Sequence, residues 1–570
     1  MIKVVSVQQM REIEAAADAA GVSYDQMMQS AGRATADRVL EVLADRPDAR
    51  VTVLVGPGNN GGDGLVAGRL IAQESGAQVR FYLLKPREDT DPNFAAVRDA
   101  GLLIANAQDD RDKRVLRNMV ASADVVIDSL FGIGVKLPLK DDAAKVLRNV
   151  RQALDEQAAL PGNRTSITPS APDQFRPLTR PYVIAVDCPS GLDCDTGELD
   201  SNAIQADETV TFIAAKPGLL TFPGADAVGK LSVAPIGVPE TIEPLQNARR
   251  VLVDAGTVRD LLPARPANAN KGTFGKALVV AGSVNYSGAA GLAASAAYRV
   301  GAGLVTVGTP QPVAAVLAAQ LLEPTWLLLP HDLGVLSEAA AEVLQEEIGN
   351  YQALLLGPGW GQEDTTKSLL TALFAQNAAA SKRAARRKIG FMPTTAVAET
   401  ANETETSLPP VVIDADGLNL LSEVESWWTM LPARTILTPH PGEMARLSRM
   451  DKDEIERSRW ELVVQKAAEW NVILLLKGAH TLIADPDGRM AVLPFKTDAL
   501  ATAGTGDVLA GAIAGLLAQG LEAFDAALVG GYLHGLAGQQ AAAWLGSTRS
   551  VVAGDVLDGL AEAIALVETS

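Results

Sequence analysis

A chain of 570 residues is too long for one hydrophobic core, so at least two domains are expected. Hydrophobic residues at 48% and charged residues at 21% describe an ordinary soluble globular protein, and the formal net charge of −19 excludes a nucleic-acid backbone as the main partner, because binding one requires a basic surface. The two cysteines, Cys188 and Cys194, lie close together in one loop, which gives no disulfide framework and fits a reducing compartment. No run of about 18 apolar residues occurs, and the N-terminus lacks the apolar core of a signal peptide, so no membrane span and a cytoplasmic location are expected.

From the N-terminus, Ser6 caps a helix running to about residue 20, and residues 24–43 read as a second helix with Met27, Met28, Ala31, Ala34, Val39 and Leu43 as its apolar positions. Residues 50–55 (RVTVLV) have a buried-strand pattern; GPGNNGGDG at 56–64 and a helix over 65–74 follow. Strand, glycine loop and helix open a doubly wound parallel sheet, in which ligands bind at the carboxyl ends of strands. Two more strand ends repeat the pattern: ADVVID at 123–128 opens into SLFGIG, and YVIAVD at 182–187 opens into CPSGLD. Adjacent parallel strands would deliver Asn60, Asp128 and Asp187 to one edge as a polar crevice, although each Asp taken singly reads first as an Asx turn or helix cap. Residues 160–180, rich in Pro, Ser and Thr, read as an inserted surface loop.

Over most of residues 1–238 the chain closely resembles the NAD(P)H-hydrate epimerases, Rossmann-like enzymes of metabolite repair. The resemblance implies that Asn59, Asn60, Gly61, Gly62 and Asp63, with Gly132, Ile133, Gly134, Val135, Lys136, Leu137 and Pro138, contact a hydrated dinucleotide, NADHX or NADPHX. It also implies that Asn60, Asp128 and Ser190 supply oxygens to a potassium ion, a hard cation suited to such donors. Asp187 would be the acid/base, since inverting a hydroxylated carbon next to the ring nitrogen needs a group that moves protons.

Strands over 203–214 and 231–239 close the first domain, 1–240; residues 241–250 read as a linker, and the second domain spans 251–570. There KALVVAGS at 276–283, an alanine-rich helix over 291–300 and a strand at 301–307 form a second beta-alpha-beta unit. Further strands with polar or glycine-rich exits lie at 353–361, 411–419, 435–443 and 472–481, the last preceding AGTGD at 503–507 and a small-residue helix over 508–518. That glycine turn aims backbone N–H groups and the positive end of a helix at whatever sits above it. Phosphoryl transfer needs such donors, together with a carboxylate, here Asp507, to take a proton from the attacking hydroxyl. The plainer reading is a glycine-rich helix start with an Asp near its N-terminus. No GxxxxGK[ST] loop is present. Residues 378–410, with the basic cluster SKRAARRK at 381–388, read as a solvated insertion.

Over residues 251–570 this order resembles the ADP/ATP-dependent NAD(P)H-hydrate dehydratases, a branch of the ribokinase-like fold. The resemblance implies that Ala289, Gly359 and His440 line the hydrated nicotinamide site, that Lys477, Gly478, Ala479, His480, Thr481 and Gly506 hold the nucleotide, and that Asp507 faces the substrate hydroxyl. His440 reads equally as a residue bonded to its own loop or, with Glu443, as the place where related kinases position magnesium; Lys477 reads also as a snorkelling strand-end lysine. Both resemblances together imply an α/β protein of two three-layer sandwiches, Rossmann-like then ribokinase-like. It would interconvert the R and S epimers of hydrated NAD(P)H and dehydrate the S form with K+, Mg2+ and ADP or ATP, as a homo-oligomer. The alternatives are a sugar or vitamin kinase fused to a nucleotide-binding domain, and a first domain that only binds or dimerises.

Overall fold

The computed structural model describes residues 1–44, 46, 48–158, 180–375 and 408–570. The two expected insertions, 160–180 and 378–410, lie outside the described residues except for Arg180 and residues 408–410. The chain folds as two units, Ile2–Ala248 and Arg249–Ser570.

In the first unit, α1 (Val7–Ala19) and α2 (Tyr24–Leu43) each begin with a capping box. Ser6 Oγ accepts from Gln9 N while the Gln9 side chain accepts from Ser6 N, and Ser23 pairs in the same way with Gln26. The strands are β1 (Arg50–Val55), β2 (Gln78–Leu83), β3 (Leu103–Asn106), β4 (Val125–Ser129), β5 (Tyr182–Val186), β6 (Glu208–Phe212) and β7 (Lys230–Ala234). They form a parallel sheet in the order β3-β2-β1-β4-β5-β6-β7. Val51, Val53, Leu54 and Val55 are all fully buried, as an unbroken apolar run requires when helices cover both faces. The order turns back between β1 and β4, so the chain leaves their carboxyl ends in opposite directions and a crevice opens there.

Three local expectations are corrected. Helix α3 spans Asn59–Glu74, so the NNGGD run forms its first turns and is not a loop ahead of it. The reason is close seating: a Cβ at Gly61 would overlap Gly56 O, and one at Gly64 would overlap the Ser129 hydroxyl. The strand anticipated over 203–214 shortens to β6, because Ile204 N and Ala206 N are spent on Ser190 O and Ala227 O instead of a ladder. The strand anticipated over 231–239 ends at Ala234. The segment 241–250 carries a short helix, Glu243–Gln246, and Ile242, Leu245 and Ala248 bury against Val5, Met10 and Ile13.

In the second unit the strands are β8 (Arg250–Leu252), β9 (Lys276–Val280), β10 (Leu304–Pro310), β11 (Thr325–Leu329), β12 (Ala353–Leu356), β13 (Val411–Ile413), β14 (Ile436–Leu437), β15 (Ile473–Leu476), β16 (Leu482–Ala484) and β17 (Met490–Val492). They run in the order β8-β17-β16-β15-β14-β13-β12-β9-β10-β11. From β15 to β11 every neighbour is parallel, so the exits of β9, β12, β13, β14 and β15 share one edge. Antiparallel β16 and β17 extend the other side. The helices that matter for the site are α4 (Ser287–Arg299), α5 (Pro441–Ser448), α6 (Lys452–Trp470), α7 (Thr505–Ala518) and α8 (Ala523–Leu545). Helices α4 and α7 meet through their backbones: a Cβ at Gly511 would overlap Ala293 O, and one at Gly515 would stand 2.6 Å from Ala297 O. Helix α7 begins at Thr505, ahead of the anticipated residue 508, because Gly504 at φ 91° turns the chain into it. Gly506 and Asp507 therefore sit in its first turn. No described helix is long and apolar enough to cross a membrane.

Candidate active sites

The exits of β1, β4 and β5 and helices α1 to α3 wall a cavity of about 740 Å³. Asn59, Asn60, Asp63, Gly132, Ile133, Gly134, Val135 and Asp187 line it. Gly61 and Gly62 are buried within α3, and Lys136, Leu137 and Pro138 lie past the wall. Asp187 follows β5 in a left-handed conformation (φ 65°), which a non-glycine residue adopts only when its surroundings fix it. Here the fixing contacts are Lys216 Nζ at 2.6 Å and Thr211 Oγ1 at 2.9 Å, both donating to Asp187 Oδ1. Lys216 is 1% exposed, so a buried ammonium is paired directly with the carboxylate. Sequence reasoning missed this lysine, which follows the strand anticipated over 203–214. It also missed Glu14 of α1 and Arg87, whose guanidinium donates to Gly56 O and Gly58 O and so holds the glycine turn.

Five carboxyl groups, Glu14, Asp25, Asp63, Asp91 and Asp187, thus line the cavity. Burial, then the charge of Asp187, raises the pKa of Glu14. Burial, then the charges of Asp187 and Glu14, pushes Asp63 well up. Beneath them Asp128 is fully buried and raised to about 6 by burial, against the opposing pull of its hydrogen bonds from Ser190. Those bonds run from Ser190 Oγ at 2.6 Å and Ser190 N at 2.7 Å. Asn60 Nδ2 is buried with no hydrogen-bond partner, and a Cβ at Gly132 would approach Asn60 Cγ at 3.2 Å. The side chains of Asn60, Asp128 and Ser190 carry amide, carboxylate and hydroxyl oxygens. These donors fit a hard monovalent cation. Among the described residues no group of three or more His, Cys, Asp or Glu gathers as a metal site. Both cysteines are free and buried.

In the second unit the strand exits converge on a cation. Lys477 Nζ stands 2.8 Å from Asp414 Oδ1 and 3.7 Å from Glu443 Oε2. A Cβ at Gly506 would lie 3.5 Å from Lys477 Nζ and 3.6 Å from Asp414 Oδ2, so the first turn of α7 faces this pair. Asp414, missed as a site residue, directly follows β13 and also accepts from Thr438 Oγ1. Burial raises Asp507 to about 7, with the charge of Asp414 adding to it and Lys477 opposing. Burial likewise raises Glu443 to about 7. Lys477 is raised overall: burial works against its charge, but Asp414 and Glu443 outweigh burial. It is an ion-paired group, not a snorkelling one.

Ala289 and Gly359 come together, a Cβ at Gly359 standing 2.8 Å from Ala289 Cβ. His440 caps α5: its Nδ1 accepts from Gly442 N while Glu443 accepts from His440 N. Burial, then the charge of Lys477, lowers its pKa, and the ring is bound to its own loop. Next to Lys477, a pocket of about 240 Å³ is lined by Gly478, Ala479, Thr481 and Gly506, together with Phe495 and His534. His480 is not part of this wall. At φ 51° it turns into the hairpin, its ring 3.2 Å from Leu493 O and its N–H donating to Phe495 O. His534, far along α8, reaches Thr505 O at 2.9 Å instead and braces the start of α7. Of the two, His534 lines the pocket and His480 does not.

Residues 24–218 match the family described as YjeF-related protein N-terminus, and residues 277–382 and 389–559 match the family described as NAD(P)H-hydrate dehydratase. The chain is 37% identical over 520 residues to the bifunctional NAD(P)H-hydrate repair enzyme of Moorella thermoacetica, covering 90% of this chain and 86% of that one. It is 33% identical over 561 residues to the enzyme of the same description from Coxiella burnetii, covering 97% of each. A crystal structure of an ADP/ATP-dependent NAD(P)H-hydrate dehydratase from Bacillus subtilis, co-crystallized with ATP and Mg2+, is 29% identical with a TM-score of 0.42, covering 55% of this chain and 98% of that one.

Proposed function

The chain belongs to the bifunctional NAD(P)H-hydrate repair enzymes, and we propose that it performs both steps of that repair: residues 1–240 epimerise hydrated NAD(P)H and residues 251–570 dehydrate the S form. Its architecture is the Rossmann-like sheet followed by the ribokinase-like sheet. The observation that carries the reading is that each sheet edge sets a lysine beside carboxylates at a cavity of its own, Lys216 with Asp187 and Lys477 with Asp414 and Glu443, the first turn of α7 with Asp507 facing the second pair.

In the epimerase site, Asp187 exchanges a proton with the substrate hydroxyl, and Lys216 orients it. A potassium ion would be held by Asn60, Asp128 and Ser190 and would supply positive charge near the dinucleotide. In the dehydratase site, the first-turn N–H groups of α7 have no intrahelical partners, so with the helix dipole they attract the transferred phosphoryl group. Lys477 holds donor phosphate oxygens and Asp507 takes the proton from the attacking hydroxyl. Phosphorylation turns a poor leaving group into a good one; phosphate departs, a neighbouring proton is lost and the ring double bond returns. Magnesium would be held by Asp414 and Glu443, whose carboxylate oxygens suit it, and would neutralise phosphate charge. The donor is ADP, which yields AMP and phosphate, or ATP. A cytoplasmic homo-oligomer completes the proposal, on kinship alone.

The test is to incubate the purified chain with both epimers, Mg2+, K+ and either nucleotide and follow the reduced-nicotinamide absorbance. Complete recovery is expected; no recovery with either nucleotide would overturn the reading. The raised Asp507 adds a pH dependence. A base must be ionised, and below about 7 this carboxyl holds its proton. Dehydratase kcat/KM should therefore fall about tenfold per pH unit below that value and level off above it. A profile flat down to pH about 5 would contradict the role.

A further inference from the structure

We propose that Glu14 is the second proton-transferring carboxyl of the epimerase cavity, acting with Asp187 on opposite faces of the same carbon; the inference rests on the epimerase reading above. Glu14 lies one helical turn beyond Met10 on α1, and both line the cavity. It comes from a helix that walls the cavity, whereas Asp187 comes from the sheet edge. Asp187 is tied at Oδ1 to Lys216 and Thr211. The Glu14 carboxyl makes no hydrogen bond to a described residue and is left facing the cavity, within electrostatic reach of Asp187, Lys216, Arg11 and Asp63. Asp63, 9% exposed, sits deeper, in the opening turns of α3.

The chemistry calls for two such groups. A carboxylic acid gives its proton to the hydroxyl on the carbon next to the ring nitrogen; the C–O bond breaks and water leaves as the nitrogen lone pair forms a C=N bond. Water then adds from the other face, the new C–O bond forms, the electron pair returns to nitrogen, and the surplus proton passes to a carboxylate. One carboxyl has lost a proton and the other has gained one, so the pair runs the inversion in either direction. A carboxylate anchored to a buried lysine on one wall serves one face; the protonatable carboxyl on α1 serves the other.

In the full chain, without nucleotide, Glu14→Gln should lower kcat for epimerisation about a hundredfold or more while leaving KM within about threefold. Glu14→Asp should recover part of the rate. Thermal unfolding of the Glu14→Gln chain should match that of the parent, which shows that the loss does not come from unfolding of the first unit, and its dehydration of the S epimer should be unchanged. Epimerisation by Glu14→Gln at the parent rate, a loss carried by KM alone, or a kcat loss in Asp63→Asn that Glu14→Gln does not share would each overturn the proposal. Failure of the parent itself to epimerise would overturn the epimerase reading as well, a result distinct from any of these.

Discussion

Asp507→Asn abolishes dehydration, lowering kcat on the S epimer by roughly a thousandfold, and leaves epimerisation at the parent rate. The substitution keeps the size and the helix start, since α7 is capped by the turn at Gly504 and braced by His534 at Thr505 O rather than by the Asp507 side chain. What it removes is the only carboxylate of the site that stands in the helix's first turn; Asp414 is bound to Lys477 and Glu443 to the His440 backbone. The donors that attract the phosphoryl group remain, so KM for nucleotide should change little. The check is a steady-state comparison of parent and variant on purified S epimer. A variant retaining more than about a tenth of the parent kcat would show that proton removal is done elsewhere.

Asp187→Asn produces the complementary defect. With nucleotide present, the parent converts an epimer mixture completely, whereas this variant stalls after the S share and continues only at the spontaneous rate. Epimerase kcat should fall by about a hundred- to ten-thousandfold, the range for loss of a proton-transferring group. The substitution also leaves Lys216 as a buried ammonium without its anionic partner, which costs stability in the first unit, so thermal unfolding should shift downward as well. The stall is read on the progress curve after subtracting spontaneous epimerisation; passage through it at the parent rate would remove Asp187 from the mechanism.

Asp507 was legible from the glycine turn that leads into α7, and Asp187 because parallel sheets obey a simple rule: a strand ending in a polar residue presents it at the carboxyl edge, where the neighbouring strand ends also lie. Asp128 and Asp187 in one unit and Lys477 in the other follow it. Partners from elsewhere in the chain did not. Lys216 meets Asp187 across 29 residues, and nothing local separates a buried lysine after an apolar strand from one that snorkels. Glu14 sits on an amphipathic helix, where a glutamate reads as a solvated residue. His480 was anticipated at the nucleotide because it lies inside the 477–481 run assigned to it, yet one left-handed residue turns its ring into the hairpin. His534, on an almost wholly apolar helix, took the place beside the pocket. The opening turns of α3 and α7 were read as loops because glycine disfavours helix interiors; here Gly61 is required because a Cβ would overlap Gly56 O, and Gly504 turns the chain into α7 at φ 91°.

The most direct test of two activities in one chain is a single progress curve on purified R epimer with Mg2+, K+ and nucleotide. The account predicts a lag while the S form accumulates, followed by complete conversion to NADH or NADPH well above the spontaneous rate. Conversion no faster than spontaneous epimerisation allows, while purified S epimer is dehydrated at once, would contradict it by leaving the first unit without its catalytic role.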